Sequence, residues 1–156
     1  MKTLIVFDSV WGNTEKVARA IGAALEPLGE VKVVKAAEAK PEDFGEKDAI
    51  IVGSATQKFT MLPATKKLLA ALPPGSLKGA KVAAFDTRIS VDEAKSRVLK
   101  FMAGKFGYAA EKIGKTLVGK GGAQVVAPAG FFVAGNEGPV KDGELERAAA
   151  WAAPLK

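Results

Sequence analysis

Residues 4–7, Leu-Ile-Val-Phe, form an unbroken apolar run of strand length, and no other stretch constrains the fold as much. A strand with one wet face alternates apolar and polar residues, whereas a continuous run must be covered on both faces, as at the centre of a parallel sheet. After Gly12 the period changes: Val17, Ile21, Ala24, Leu25 and Leu28 fall on one helical stripe, and Gly29 closes it. The alternation then recurs. Further strands are expected at 31–34, 49–52 and 82–85, with a last strand over 123–126 and 131–133 that Pro128 can interrupt. Helices are expected over 62–72, 91–104, 108–119 and 145–153, with the long pattern from 91 to 120 breaking near Gly104 and Gly107. The segment 41–45 is too loosely patterned to assign. Strands alternating with helices imply an α/β domain built on a parallel sheet, and 156 residues are expected to make one such domain, residues 1–156.

Two absences limit the chemistry. The chain has neither Cys nor His, which excludes disulfides, iron–sulfur clusters, thiol nucleophiles and imidazole bases or ligands. Any redox chemistry must come from a bound cofactor. The apolar run before Asp8 is too short for the core of a signal peptide, and the longest uncharged stretch, 121–136, is broken by Pro128 and several Gly. A cytoplasmic protein with no membrane insertion is the expectation.

The first strand runs into Asp8-Ser-Val-Trp-Gly-Asn-Thr14, where the first helix starts. Helix-start amides lack intrahelical partners and carry the positive end of the dipole, so Ser9, Asn13 and Thr14 beside Gly12 suit an anion such as phosphate. The same residue types also serve as plain helix caps, and spacing alone leaves both readings open. Gly114-Lys-Thr116 ends like a nucleotide-binding loop, but Ala109 stands where that motif needs Gly. Gly119-Lys-Gly-Gly122 precedes a strand and reads as a helix stop.

The run from Leu4 to Ala18, with Ser9, Gly12 and Thr14 in their places, resembles the first strand, phosphate loop and first helix of the flavodoxins. The similarity continues through Ile50–Ser54 and Val82–Asp86, strand ends in the same order. The resemblance implies a flavodoxin-like three-layer α/β sandwich, a five-stranded parallel sheet of order 2-1-3-4-5, and FMN at the carboxyl ends of the strands. Carried over by position, Ser9, Val10, Trp11, Gly12, Asn13 and Thr14 would hold the FMN phosphate. Ser54, Ala55, Thr56, Gln57, Lys58 and Phe59, with Asp86, Thr87, Arg88 and Ile89, would meet the flavin ring.

The chain departs from the family in three respects. Trp11 replaces the usual Thr, which removes one hydroxyl and leaves a main-chain amide and an indole. Flavodoxins commonly sandwich the ring between loop aromatics and use a Gly in the first flavin loop for a peptide flip. Here residues 54–61 contain no Gly and one aromatic, Phe59, while residues 86–89 contain no aromatic. The segment matching the family's fourth helix is 108–120, so 87–107 reads as an enlarged flavin loop carrying an added helix.

Charge is concentrated in this region. Lys95, Arg97, Lys100, Lys105, Lys112, Lys115 and Lys120 face only Glu111 between positions 95 and 120, so this segment holds the whole net charge of +6. A solvated helix face is one reading. The other is a docking patch for acidic redox partner proteins through Lys95, Arg97, Lys100 and Lys105, unlike the acidic faces typical of flavodoxins. The leading functional expectation is an FMN-binding carrier shuttling electrons between redox partners, with no catalytic side chain and no metal. One alternative is an FMN-dependent reductase of a quinone or similar small acceptor. A second is a flavin-free module binding through a basic face, although Phe106 lies on the apolar stripe and gives base stacking on nucleic acid little support. A phosphoacceptor receiver domain is rejected, because Gly53-Ser54 stands where it needs an Asp.

Overall fold

The computed structural model describes residues 1–89 and 97–156. The elements in chain order are β1 (Lys2–Asp8), α1 (Asn13–Leu25), β2 (Glu30–Lys35), β3 (Ala49–Ala55), α2 (Pro63–Ala71), β4 (Lys81–Ile89), α3 (Arg97–Phe106), α4 (Ala109–Gly119), β5 (Ala123–Gln124), β6 (Ala129–Val133) and α5 (Glu144–Trp151). All strand pairs are parallel, in the order β2-β1-β3-β4, with both β5 and β6 on the outer side of β4.

The expected order 2-1-3-4-5 is therefore present, with one correction to the strand count. The fifth position is filled by two segments: β5 pairs with Lys81 and Val82, β6 with Phe85 to Ile89, and residues 125–128 bridge the gap opposite Ala83 and Ala84. Four residues cannot fit in extended register beside two, and Pro128 has no N–H to add to a ladder. Other boundaries also differ from expectation. The helix break falls at Gly107, whose φ of 72° no helix accommodates, while Gly104 lies inside α3. Residues 41–44 form a 3₁₀ turn, and the last helix starts one residue earlier, at Glu144, and ends at Trp151. Residues 91–96 of the expected added helix lie outside the described residues.

Strict alternation along the central strands builds two cores. Leu4, Val6, Ile50, Val52, Val82 and Ala84 face α2 and α4, while Ile5, Phe7, Ile51, Ala83 and Phe85 face α1 and α5. Leu4 to Phe7 are all buried, as a run covered on both faces requires. On the second face Phe85, Phe131 and Trp151 meet edge to face at centroid separations of 5.8–6.2 Å. Gly53 makes room for this group, since a Cβ there would lie 2.1 Å from the Phe85 ring.

An open parallel sheet exposes an edge at β6, and α5 closes it with side chains. The Glu144 carboxylate accepts the Phe132 N–H at 2.7 Å, and Arg147 donates to the Gly130 carbonyl at 2.6 Å while pairing with Glu144. The Arg147 hydrogen bond, chiefly, holds the Glu144 carboxyl below its ordinary value of 4.5, helped by the Phe132 N–H against burial. A depressed carboxylate stabilises the fold fully above its ordinary pKa, and that contribution is lost as pH falls through the depressed value. Glu144→Gln should therefore cost about 1 kcal/mol at neutral pH, with much of the pair's charge screened by solvent. Urea denaturation of both proteins across an acid series checks this: the difference should shrink as pH falls below the ordinary value of 4.5 and through the depressed one.

Candidate functional site

The carboxyl ends of β1, β3, β4 and β6 open on one edge of the sheet, where the ends of β4 and β6, the loops after β1 and β3, Tyr108 and Asn136 surround a cavity of about 600 Å³. This is the size of a small-molecule site. One end is built at the start of α1. Gly12 caps that helix at a φ of 89°, a left-handed conformation that favours glycine, and no side chain bonds to the cap. The Gly12 N–H instead donates to Ser9 Oγ at 2.9 Å, leaving the hydroxyl proton of Ser9 for another acceptor. Asn13 and Thr14 are buried at the first turn, and the Thr14 hydroxyl meets that of Thr87 at 2.7 Å. First-turn amides without a side-chain cap, at the positive end of a 13-residue helix, are chemically suited to an anion.

The loop after β3 forms another wall. Gln57 and Thr60 exchange both backbone hydrogen bonds, and between them Lys58 and Phe59 have φ of 49° and 64°. This two-residue turn with both central φ positive is the geometry that Asn-Gly adopts most easily. Side chains with a Cβ cost of the order of 1 kcal/mol each there. Several bonds hold the loop: the Ser54 hydroxyl accepts the Leu62 N–H, the Thr56 N–H donates to the Thr87 carbonyl, Thr56 Oγ1 accepts the Ala109 N–H, and Lys112 Nζ donates to the Phe59 carbonyl.

The third wall rests on a buried ion pair. Arg88 donates two hydrogen bonds of 2.6 Å to the Asp86 carboxylate, which also accepts the Ala110 N–H at the start of α4. Burial pushes the Asp86 carboxyl above its ordinary range, with the Arg88 guanidinium and the Ala110 N–H pulling the other way. The guanidinium lies flat over Tyr108, its carbon 3.6 Å from the ring centroid.

Of the residues singled out from the sequence, Ser9, Val10, Trp11, Asn13, Thr14, Ala55 to Phe59, Thr87, Arg88 and Ile89 line the cavity together. Gly12, Ser54 and Asp86 do not line it: Gly12 shapes the turn into α1, while Ser54 and Asp86 are fully buried beneath the cavity and support its walls. Sequence reasoning missed Tyr108, Val133 and Asn136. For Val133 and Asn136 the signal was topological, because the loop after the last parallel strand must emerge at the same edge as the others; Tyr108, which precedes α4, had no such signal.

The flavodoxin family model matches residues 5–151, and the chain belongs to the flavodoxin family. Members of this family bind FMN and transfer electrons to redox partner proteins. The chain is similar to a flavodoxin from the domain Archaea, with 25% identity, a TM-score of 0.74, and coverage of 99% of this chain and 96% of that one. It is also similar to oxidised flavodoxin 2 from Bacillus cereus (24% identity, TM-score 0.78, 99% and 97% covered) and to oxidised flavodoxin 1 from the same organism (20%, 0.77, 99% and 97%). No curated protein matches the chain. The residues present fit FMN: an uncapped helix start with Trp11 beside it suits the phosphate, and Phe59 and Tyr108 on the cavity wall suit the ring.

Gly130 of β6 matters to this site because a Cβ there would lie 2.0 Å from Arg88 Nε. Gly130→Ala should dislodge Arg88 from Asp86 and destabilise the protein by about 2–4 kcal/mol. Gly104→Ala, which meets open space within α3, should instead stabilise by up to about 1 kcal/mol. Urea midpoints for the two variants make the comparison.

Proposed function

We propose that this chain is an FMN-dependent electron carrier working between larger redox proteins, with its phosphate subsite at Ser9–Thr14. The observation that carries this reading is the α1 start, which lacks a side-chain cap and sits at one end of a cavity with aromatic walls. FMN, when bound, supplies the electron-accepting and electron-donating ring. The protein's part is to hold, orient and cover it. The first-turn amides of α1 and the Ser9 hydroxyl would bind the phosphate, and Trp11, which is 56% exposed, would cover that end. Residues Ala55–Phe59 and Thr87–Ile89, with Tyr108, would flank the ring. Lys58 adds a positive charge to the wall, which favours gain of negative charge beside it.

An anion-organised loop should bind FMN more tightly than riboflavin by roughly tenfold or more. Asn13→Asp should erode that preference by putting a negative charge against the phosphate. Titration of flavin-free protein with both ligands is the measurement, and equal affinities would sink the phosphate assignment. Turnover with a nicotinamide donor and a small acceptor, with no partner protein, would point instead to a reductase.

For the partner we propose an acidic surface, because the whole net charge lies between positions 95 and 120, the segment that also gives Tyr108 to the cavity lining. Arg97 and Lys105 are exposed on α3; Lys95 lies outside the described residues, as does the side chain of Lys100. Arg97→Glu with Lys105→Glu should slow reduction by an acidic donor at low salt and leave FMN affinity nearly unchanged. The effect should fade as the Debye length falls from roughly 30 Å at 0.01 M to about 3 Å at 1 M. Stopped-flow reduction across a salt series checks this, and a rate indifferent to both salt and charge reversal would return α3 to a structural role.

A further inference from the structure

Lys112 belongs to the basic segment, yet it is only partly exposed and its ammonium donates to the Phe59 carbonyl at the tip of the 57–60 turn. The same helix grips the base of that turn, since Ala109 N–H donates to Thr56 Oγ1 at 3.2 Å. Between these two ties lie Lys58 and Phe59, both left-handed and both carrying side chains that disfavour it. A turn of this type with no Asn or Gly at its centre does not select its own geometry. Something outside the turn has to hold it, and α4 makes both of these contacts.

We propose that Lys112 is a positioning residue: it holds the 57–60 turn in its left-handed form, so that this cavity wall is set before any ligand arrives. A wall already ordered loses little conformational freedom on binding, which favours affinity. The charge of Lys112 is thereby committed to the site rather than to the docking surface. The consequence for flavin affinity rests on the FMN reading above; the consequence for the turn itself does not.

The test has two arms, with Lys112→Met as the probe variant. In flavin-free protein, hydrogen exchange of the Gln57 and Thr60 amides, which close the turn, should accelerate about tenfold or more. The β1 and β3 amides should be unchanged, which separates local release from a failure to fold. In FMN titrations Lys112→Met should raise Kd about tenfold. Lys58→Asn gives the turn a residue that adopts positive φ readily, so in that background Lys112→Met should raise Kd by less than about threefold. Unchanged exchange at Gln57 and Thr60, or an equal loss of affinity in both backgrounds, overturns the proposal. Should the unmutated protein fail to bind FMN, the cofactor reading falls, and the exchange arm alone decides the role of Lys112.

Discussion

Asp86 is the point on which the site depends. Its carboxylate sits at the end of β4 with no exposed surface, where an unpaired charge would cost several kcal/mol. Three donors offset that cost: two from Arg88 and one from the Ala110 N–H. Each donor fixes something else. Arg88 is held flat against Tyr108 and beside Gly130, which places one cavity wall. Ala110 fixes the start of α4, and that start fixes Thr56 and the 57–60 turn through Ala109 and Lys112. Two walls of the cavity, the Arg88 end of β4 and the 57–60 turn, therefore trace back to one buried ion pair.

The loop after β1 is anchored differently. Asp8, at the end of β1, accepts both the N–H and the hydroxyl of Thr65 in the first turn of α2, so its negative charge meets the positive end of that helix. With Asp8 turned toward α2 and Ser9 closing on Gly12, the chain enters α1 with its first amides at the cavity. Electrostatic roles are thus divided along the sheet edge: α2 and α4 have their N-terminal amides met by Asp8 and Asp86, and α1 has no side chain of its own on its cap. Among these three helices α1 is the one prepared for an external anion.

The layered fold was legible because burial on both faces leaves the same mark wherever it occurs. Leu4 to Phe7, Ala49 to Val52 and Val82 to Phe85 are apolar throughout and form β1, β3 and β4. The shape of the loop from Ser9 to Thr14 was legible because its glycine and small hydroxyl residues are contiguous. What stayed hidden depended on contacts distant in sequence. Gly104 and Gly107 are equivalent as residue types, and only the need to turn into Tyr108 and α4 makes Gly107 the break. Ser54 and Asp86 stand at strand ends where cofactor contacts are expected, yet full burial gives both to the scaffold. Tyr108 and Asn136 reach the cavity from helix and loop starts whose local pattern carries no mark of it.

Net charge by sequence window is also a poorer guide to surface charge than it first suggests. Lys112 and Lys120, both counted in the basic segment, donate to the carbonyls of Phe59 and Leu72 and are partly buried. An ammonium satisfying a backbone carbonyl keeps its charge but loses part of its exposure to a partner. The exposed charge of the segment is therefore smaller than the composition of 95–120 implies. Arg88 is likewise a cation at the cavity with its charge offset by Asp86. The start of α1 and Lys58 also bring positive charge to the cavity lining. One is fixed by the backbone, and the other sits on a turn that α4 must hold.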